Sequence, residues 1–422
     1  MIDALLRSVN GNGAGSLKPL RDAALDRSRK LGFPTIKHEE WRFTNIAPML
    51  DLPLHQAAAK TKSGQDIREF AMFTFDTKGP LLVFVDGHYV HELSRAESAG
   101  FQLGSLRSSP AAREIHSHLG QYAGPKSEFF AAVNTAFFHD GAFISVPANK
   151  VVEDAIHLLF ISSGQDDGAI ANPRNLIIAG PQSNVKILEH YVSLGAAAQV
   201  TNAVTEVVLG EGSRVEHCRV QEENERTYHI ATVQAQQDKD SHFLSHSVAV
   251  GGRLARNQIN TVLNGSGAEG VLNGLYLGRG EQLIDHHTIV DHAMPHCESH
   301  EFYHGILADR SHGVFNGKIL VRKDAQKTNA KQTNRNLLLS DNATVDTKPQ
   351  LEIFADDVKC THGATVGQLS DEALFYLRAR GIGLENARRM LIRAFASDMV
   401  ERIGIEPVRA ALEEMLMQRF QS

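Results

Sequence analysis

Between residues 311 and 367 the apolar positions keep no helical period of any length. They fall in short runs at 317–321, 336–339, 351–354 and 358–360, each closed by Asn, Asp, Gly or Lys-rich turn chemistry. Short strands with regular polar corners predict coils stacked one on the next, a parallel β-solenoid, because the strands of a sandwich run longer. From about residue 172 the corners repeat: a polar or Gly-containing turn leads to a small residue, one spacer and an apolar residue. This occurs as GPQSNV at 180–185, GEGSRV at 210–215 and DKDSHF at 238–243, with GSGAEG at 265–270 a looser copy. Ser183, Ser213 and Ser241 therefore recur at about 30 residues, after which the beat falters. One coil cannot bury its inner face alone, whereas stacked coils form a continuous apolar column whose ends need covering.

The flanks follow other patterns. LKPLRDAALDRSRKLG at 17–32 spaces Leu20, Ala23, Ala24 and Leu31 in roughly helical fashion, with Gly32 as a C-terminal cap and Pro34 as a stop. The Gly-rich opening at 11–15 follows no strand, so it is read as flexible rather than as a phosphate cradle. KHEEWRFTN at 37–45 sets the sole tryptophan, Trp41, beside Phe43 among charges, a packing anchor. In LLVFVDGHYVHEL at 81–93 the pair Asp86-Gly87 predicts a tight hairpin. Residues 126–162 pass from a helix-like segment into continuous apolar strands, as a solenoid's first coils require.

At the other end Ser370 opens a helix that closes on Gly381. In 383–403 the rows Leu391, Phe395, Met399 and Ile392, Ala396, Val400 merge into one stripe with Ile403. Pro407 then starts a last helix with Val408, Ala411, Leu412, Met415 and Leu416 on one face. This tail is expected to cap the solenoid, with apolar surface left over to dock on the solenoid or on another protein. The reading is a mainly β chain: an N-terminal helical and hairpin region at 1–150, a parallel β-helix core at 151–369 and a helical domain at 370–422.

Composition narrows the function. The 422 residues carry a formal net charge of -6 and no Lys/Arg-dense block, which argues against a nucleic-acid or anionic-membrane surface. No apolar run approaches the roughly 20 residues that cross a bilayer, and MIDALLRSVNGNG lacks the pattern of a signal peptide. A cytoplasmic chain is expected. Cys218, Cys297 and Cys360 are too few and scattered for a disulfide framework and read as free thiols.

Three stretches invite a chemical reading. In DHHTIVDHAMPHCESHEFYH at 285–304, a helix would bring His292, His296 and His300 to one face and could hold a metal for a stand-alone hydrolase. Pro295 and the strand-like flanks favour instead corner and wall histidines, His286, His287 and His304 among them, with Cys297 in the same stretch. The second is Cys360 and His362, which by strand alternation point to the same side as Val358. That favours burial, yet they stand at the solenoid's end beside Asp356, Asp357 and Gly363, where an exposed face or a subunit contact is open to them; thiolate and imidazole together suit iron, iron-sulfur species or zinc. The third, HGVFNGKI at 312–319, is a failed Walker A loop: its first glycine is one place off and no Ser or Thr follows Lys318. No nucleotide site is expected, and no paired carboxylates or nucleophile elbow point to catalysis.

The string FNGKILVRKDAQKTNAKQTNRNLLLSDNATVDTKPQLEIFADDVKCTHGATVGQLSDEALFYLRARGI at 315–382 resembles the signature of the SufB/SufD family of iron-sulfur cluster assembly proteins. DGAFISVP, the repeats and the tail extend the resemblance, and KHEEWRFTN is similar to the N-terminal motif of the SufD side of that family. Gly363 stands where the SufB pattern has a glutamate. The resemblance implies a right-handed parallel β-helix flanked by helices, without catalysis of its own. It implies a scaffold subunit that pairs with a SufB-like chain (a homodimer being open to it in isolation), docks the ATPase SufC, and through the complex meets a sulfur donor and passes clusters to apo-proteins. His362 and Cys360 match positions near the subunit seam, where iron or a nascent cluster would be held transiently. The tail, with Leu391, Phe395, Met399 and Arg393 on or beside its stripe, matches the region that docks the ATPase.

Overall fold

The computed structural model describes residues 1–8, 17–58, 73–123 and 128–419, so the Gly-rich opening at 11–15 lies outside the described residues. Among the described residues the strands form two sheets, of 11 and 10 strands. Successive strands alternate between them: Asn184–Ser193 belongs to one, Val200–Leu209 to the other, Arg214–Gln221 to the first again, and so on to Thr344–Ile353 and Lys359–Gly367. Each pairs in parallel with the strand one coil away, giving a parallel β-solenoid of about eight turns.

The corners explain why the sequence repeats. In the turns that lead into the 10-stranded sheet, Gln182, Gly212, Asp240, Gly267, His296 and Lys327 all have φ between 53 and 74. Each is followed by a small or short residue that is wholly buried: Ser183, Ser213, Ser241, Ala268, Cys297 and Thr328. The turn closes through a backbone bond, from Ser183 N to Gly180 O at 3.1 Å and from Ser213 N to Gly210 O at 3.0 Å. A left-handed residue thus turns the chain inward, and the next position has room for nothing bulky. The beat that falters in the sequence after 270 is kept by His296-Cys297 and Lys327-Thr328, which meet the same geometry with different side chains.

The solenoid is closed at its start. Leu81–Val85 adds in parallel to Ile156–Ser162, and Gln102–Ser105 adds antiparallel to Ala142–Val146. The expected hairpin is present, with Phe84 opposite Tyr89 and the turn at Asp86 and Gly87. Its other end is open: Thr344–Ile353 and Lys359–Gly367 each pair on one side only, and their side chains are partly or fully exposed.

The helical tail does not cap this end, contrary to the sequence-based expectation. It lies along the outer face of the 10-stranded sheet, where Ile392, Ala396, Met399, Val400, Val408 and Leu412 pack on Leu188, Val220, Val248, Leu275, Ile306 and Leu337. The stripe needed an apolar partner, and a sheet face spanning several coils offers more area than a single terminal coil. The N-terminal segments cover the other sheet in the same way, Trp41, Met49, Phe130 and Val133 packing on Val200, Ile230 and Leu254.

Candidate functional site at the open end

Parallel register stacks the inward side chains of the 10-stranded sheet in ladders, and two of these end on the residues singled out in the sequence. One runs Val185, Val215, Phe243, Gly270, Ser299, Ala330 and finishes on Cys360. The next inward ladder runs Ile187, His217, Ser245, Leu272, Glu301, Gln332 and finishes on His362. Both residues therefore face the column, as strand alternation predicts. Among the described residues no further coil covers them, so Cys360 is half-buried against the small cluster that includes Ile319 and Ala330, and His362 is exposed. Burial holds the Cys360 thiol above its ordinary range, which disfavours the thiolate in the isolated chain. An exposed imidazole and a half-buried thiol thus stand two residues apart on a strand that pairs on one side only.

Below His362 the column turns polar. Gln332 Nε2 donates to Glu301 Oε1 at 3.0 Å, and Thr288 Oγ1 donates to Glu301 Oε2 at 2.5 Å. Among the described residues no cation pairs with this carboxyl, and burial pushes it up to about 7. Gly317 on the facing sheet makes the space: a Cβ there would lie 2.2 Å from Gln332 Nε2. Deeper still, Glu189 meets His217 at 3.4 Å. Burial raises that carboxyl, but the charge of His217 and its hydrogen bond outweigh it and bring the group down to about 2. Sequence reasoning missed Glu301 and Gln332, whose only signal was their parity with His362 across coils of unequal length.

The histidine-rich stretch is divided between two strands and a corner. Leu283–His292 and Glu298–Leu307 lie in different sheets, and His296 is the left-handed corner residue between them. The helix that would align His292, His296 and His300 does not exist. His286 points inward between the rings of Tyr276 and Tyr303, and burial lowers it to about 3, so it is neutral. His287 faces out to Glu40 and Asp285, and His292 bonds Ser299 Oγ at 2.9 Å. His304 stacks on Phe395 at 4.6 Å and donates from Nδ1 to its carbonyl. Among the described residues no group of three or more His, Cys, Asp or Glu is placed to hold a metal, which leaves the hydrolase reading without a site. The 312–319 segment is a straight strand, and Lys318 points outward to Glu352 at 2.6 Å.

The tail presents its residues unevenly. Met399 is buried on the sheet, Leu391 and Phe395 are half-buried, and Arg393 is exposed. Leu384 and Met390 on this helix stay exposed, and the most exposed apolar side chains of the tail lie one helix earlier. On Asp371–Ala379, capped by Ser370 Oγ accepting from Ala373 N, Phe375 is 74% exposed and Tyr376 56%. Beside them a shallow pocket of ≈ 370 Å³ is lined by Ser370, Glu372, Ala373, Tyr376, Leu377 and Leu391. No described helix is long and apolar enough to cross a membrane.

Residues 6–158 match the family model described as "SufBD protein N-terminal region", and residues 160–395 match "SUF system FeS cluster assembly, SufBD core domain". The chain is 31% identical to an iron-sulfur cluster assembly SufBD family protein of Synechocystis, covering 97% of this chain and 93% of that one. It is 31% identical to the iron-sulfur cluster assembly protein SufD of Escherichia coli, over 95% and 93% of the two chains. To a chloroplastic protein of Arabidopsis thaliana, ABCI7, it is 29% identical over 97% and 88%.

Proposed function

Because the chain belongs to the SufBD family of iron-sulfur cluster assembly proteins and is SufD-like, we propose that it works as one subunit of a scaffold that pairs with a SufB-like chain and docks a SufC-like ATPase. In this reading it performs no catalysis alone. The observation that carries it is the open end of the solenoid. Two strands of 10 and 9 residues offer unpaired backbone groups on the same end, and such edges are templates for adding a partner's strands. Ile353, Phe354 and Val366 add exposed apolar surface there. Placing His362 and Cys360 on that seam lets this chain give an imidazole, and secondarily a thiol, to iron or a nascent cluster whose other ligands come from the partner. The cluster is cargo, held until it passes to an apo-protein.

The ATPase is assigned to the tail, at the exposed aromatic face of Phe375 and Tyr376 with Met390 and Leu391 beside it. Lack of a phosphate-binding loop in this chain supports a separate nucleotide-binding partner. Three free cysteines and no disulfide suit a reducing compartment such as the cytoplasm.

The test is reconstitution. Purified chain mixed with a SufB-like subunit and a SufC-like ATPase should co-elute as one species, with ATP turnover absent from the chain alone. Failure of the chain to associate with either, or ATP hydrolysis that tracks the isolated chain through gel filtration, would overturn the proposal.

A further inference from the structure

Gln332 presents a one-sided hydrogen-bonding pattern. It is 1% exposed, and its amide donor is committed to Glu301, one coil back in the ladder. Its acceptor, Oε1, is buried and has no partner among the described residues. A buried carbonyl oxygen left unpaired is costly, so its environment has to supply a donor. The next rung of the same ladder is His362, whose side chain faces the column from directly above. Above about pH 7, where Glu301 is ionised, it has no proton to give, and its two oxygens accept from Thr288 and from Gln332.

We infer that Gln332 and Glu301 are positioning residues for His362: Gln332 Oε1 accepts one ring N–H of His362, and Glu301 holds the Gln332 carboxamide in the orientation that allows it. An imidazole can present only one lone pair to a metal while the other nitrogen carries its proton. Fixing that proton toward Gln332 turns the free nitrogen out of the open end, toward the seam, and makes it a better donor. Ligating histidines generally bond their second nitrogen to a carbonyl or carboxylate for this reason. The register gives the same direction: Cys360 and His362 are the last rungs of their ladders. This inference rests on the proposed role of His362 as a ligand.

The test uses the full chain, metal-free, with ¹⁵N-labelled histidine. The His362 ring is assigned by its loss in His362→Asn, and its tautomer is read from the nitrogen shifts at a pH where the ring is neutral. One tautomer should dominate in the unchanged chain. In Gln332→Met, close in volume but without the acceptor, the ring should revert to the mixed ratio of a free imidazole. Gln332→Asn, which withdraws the carboxamide, should do the same if the first variant fails to fold. Glu301→Gln keeps an acceptor for the Gln332 amide and should keep the tautomer. Iron and acid-labile sulfide assembled on the reconstituted complex should fall about tenfold in Gln332→Met, the size expected for a lost outer-shell hydrogen bond. An unchanged tautomer in Gln332→Met, with His362→Ala still poor in iron, overturns the inference and leaves the ligand role standing. Normal iron assembly by His362→Ala removes the ligand role and the inference with it. Because the tautomer is read without metal, the two failures are distinguishable.

Discussion

The guanidinium carbon of Arg256 lies 4.0 Å from the centroid of the Trp41 ring, which sets the N-terminal segment on the outer face of the solenoid. Arg256 also pairs with the buried carboxylate of Asp285, which accepts from Thr44 Oγ1 at 2.5 Å and meets His287 at 3.0 Å. The KHEEWRFTN motif is thus a clamp: Trp41 covers the cation, Thr44 bonds the anion, and Glu40 reaches His287. Trp41→Ala should cost about 3 kcal/mol or more through lost aromatic burial. Asp285→Asn should cost a similar amount by leaving a buried arginine without its counter-charge. Urea unfolding measures both, and midpoints unchanged from the parent would show that the segment is not anchored there.

Glu301 makes stability depend on pH in a definite direction. Its folded-state value, about 7, lies above that of an unfolded glutamate, near 4.5. Between these limits the native state keeps a proton that the unfolded chain has lost, so its contribution to stability declines as pH rises through the window and is flat above it. Glu301→Gln removes this slope. Relative to the parent, the variant should gain as pH goes from about 4.5 to 7, by at most ~3 kcal/mol. Parallel pH profiles for parent and variant would mean that Glu301 is ionised in the fold at neutral pH.

His362→Ala should leave the proposed three-protein complex intact and lower the iron and sulfide assembled on it. Cys360→Ser should have the smaller effect, because that thiol packs on Ala330 and Ile319 and ionises poorly. The assay is iron and acid-labile sulfide per complex after reconstitution. Full loading by His362→Ala, or a larger loss from Cys360→Ser, would reverse this order of importance.

If the tail docks an ATPase as proposed, two phenylalanines should separate docking from folding. Phe375→Asp places a charge on a ring that is already in solvent, so melting should change little while affinity for the ATPase falls, since the charge would have to be desolvated in the complex. Phe395→Asp strikes the contact with His304 and should lower stability by about 2 kcal/mol or more. Titration of each variant with the ATPase, alongside thermal unfolding, tests the pair; normal ATPase binding by folded Phe375→Asp would move the docking surface elsewhere.

Local rules made much of the fold legible. The corner serines announce the turns because a left-handed residue followed by a small one is a local demand, and the 86–87 hairpin and the Ser370 cap are local in the same sense. The later corners were hidden because His296-Cys297 and Lys327-Thr328 satisfy the geometry without serine or glycine. The helix once possible for 292–300 gave way to strands, since Pro295 breaks it and both flanking segments pair within sheets. At the candidate site, alternation alone placed Cys360 and His362 on the inner side. It could not say that Gln332 and Glu301 stand behind His362.

The sequence by itself determined the stacked-coil architecture, the family string and the side of the strand on which His362 lies, because each depends on neighbours within a few residues. Tertiary structure decided which coil each inward residue meets, since that depends on register summed over corners of different length. It also decided where the tail goes. An amphipathic stripe records only that a helix must bury one face, and the widest uncovered apolar surface, here the flank of the 10-stranded sheet rather than the end, settles what it buries that face against.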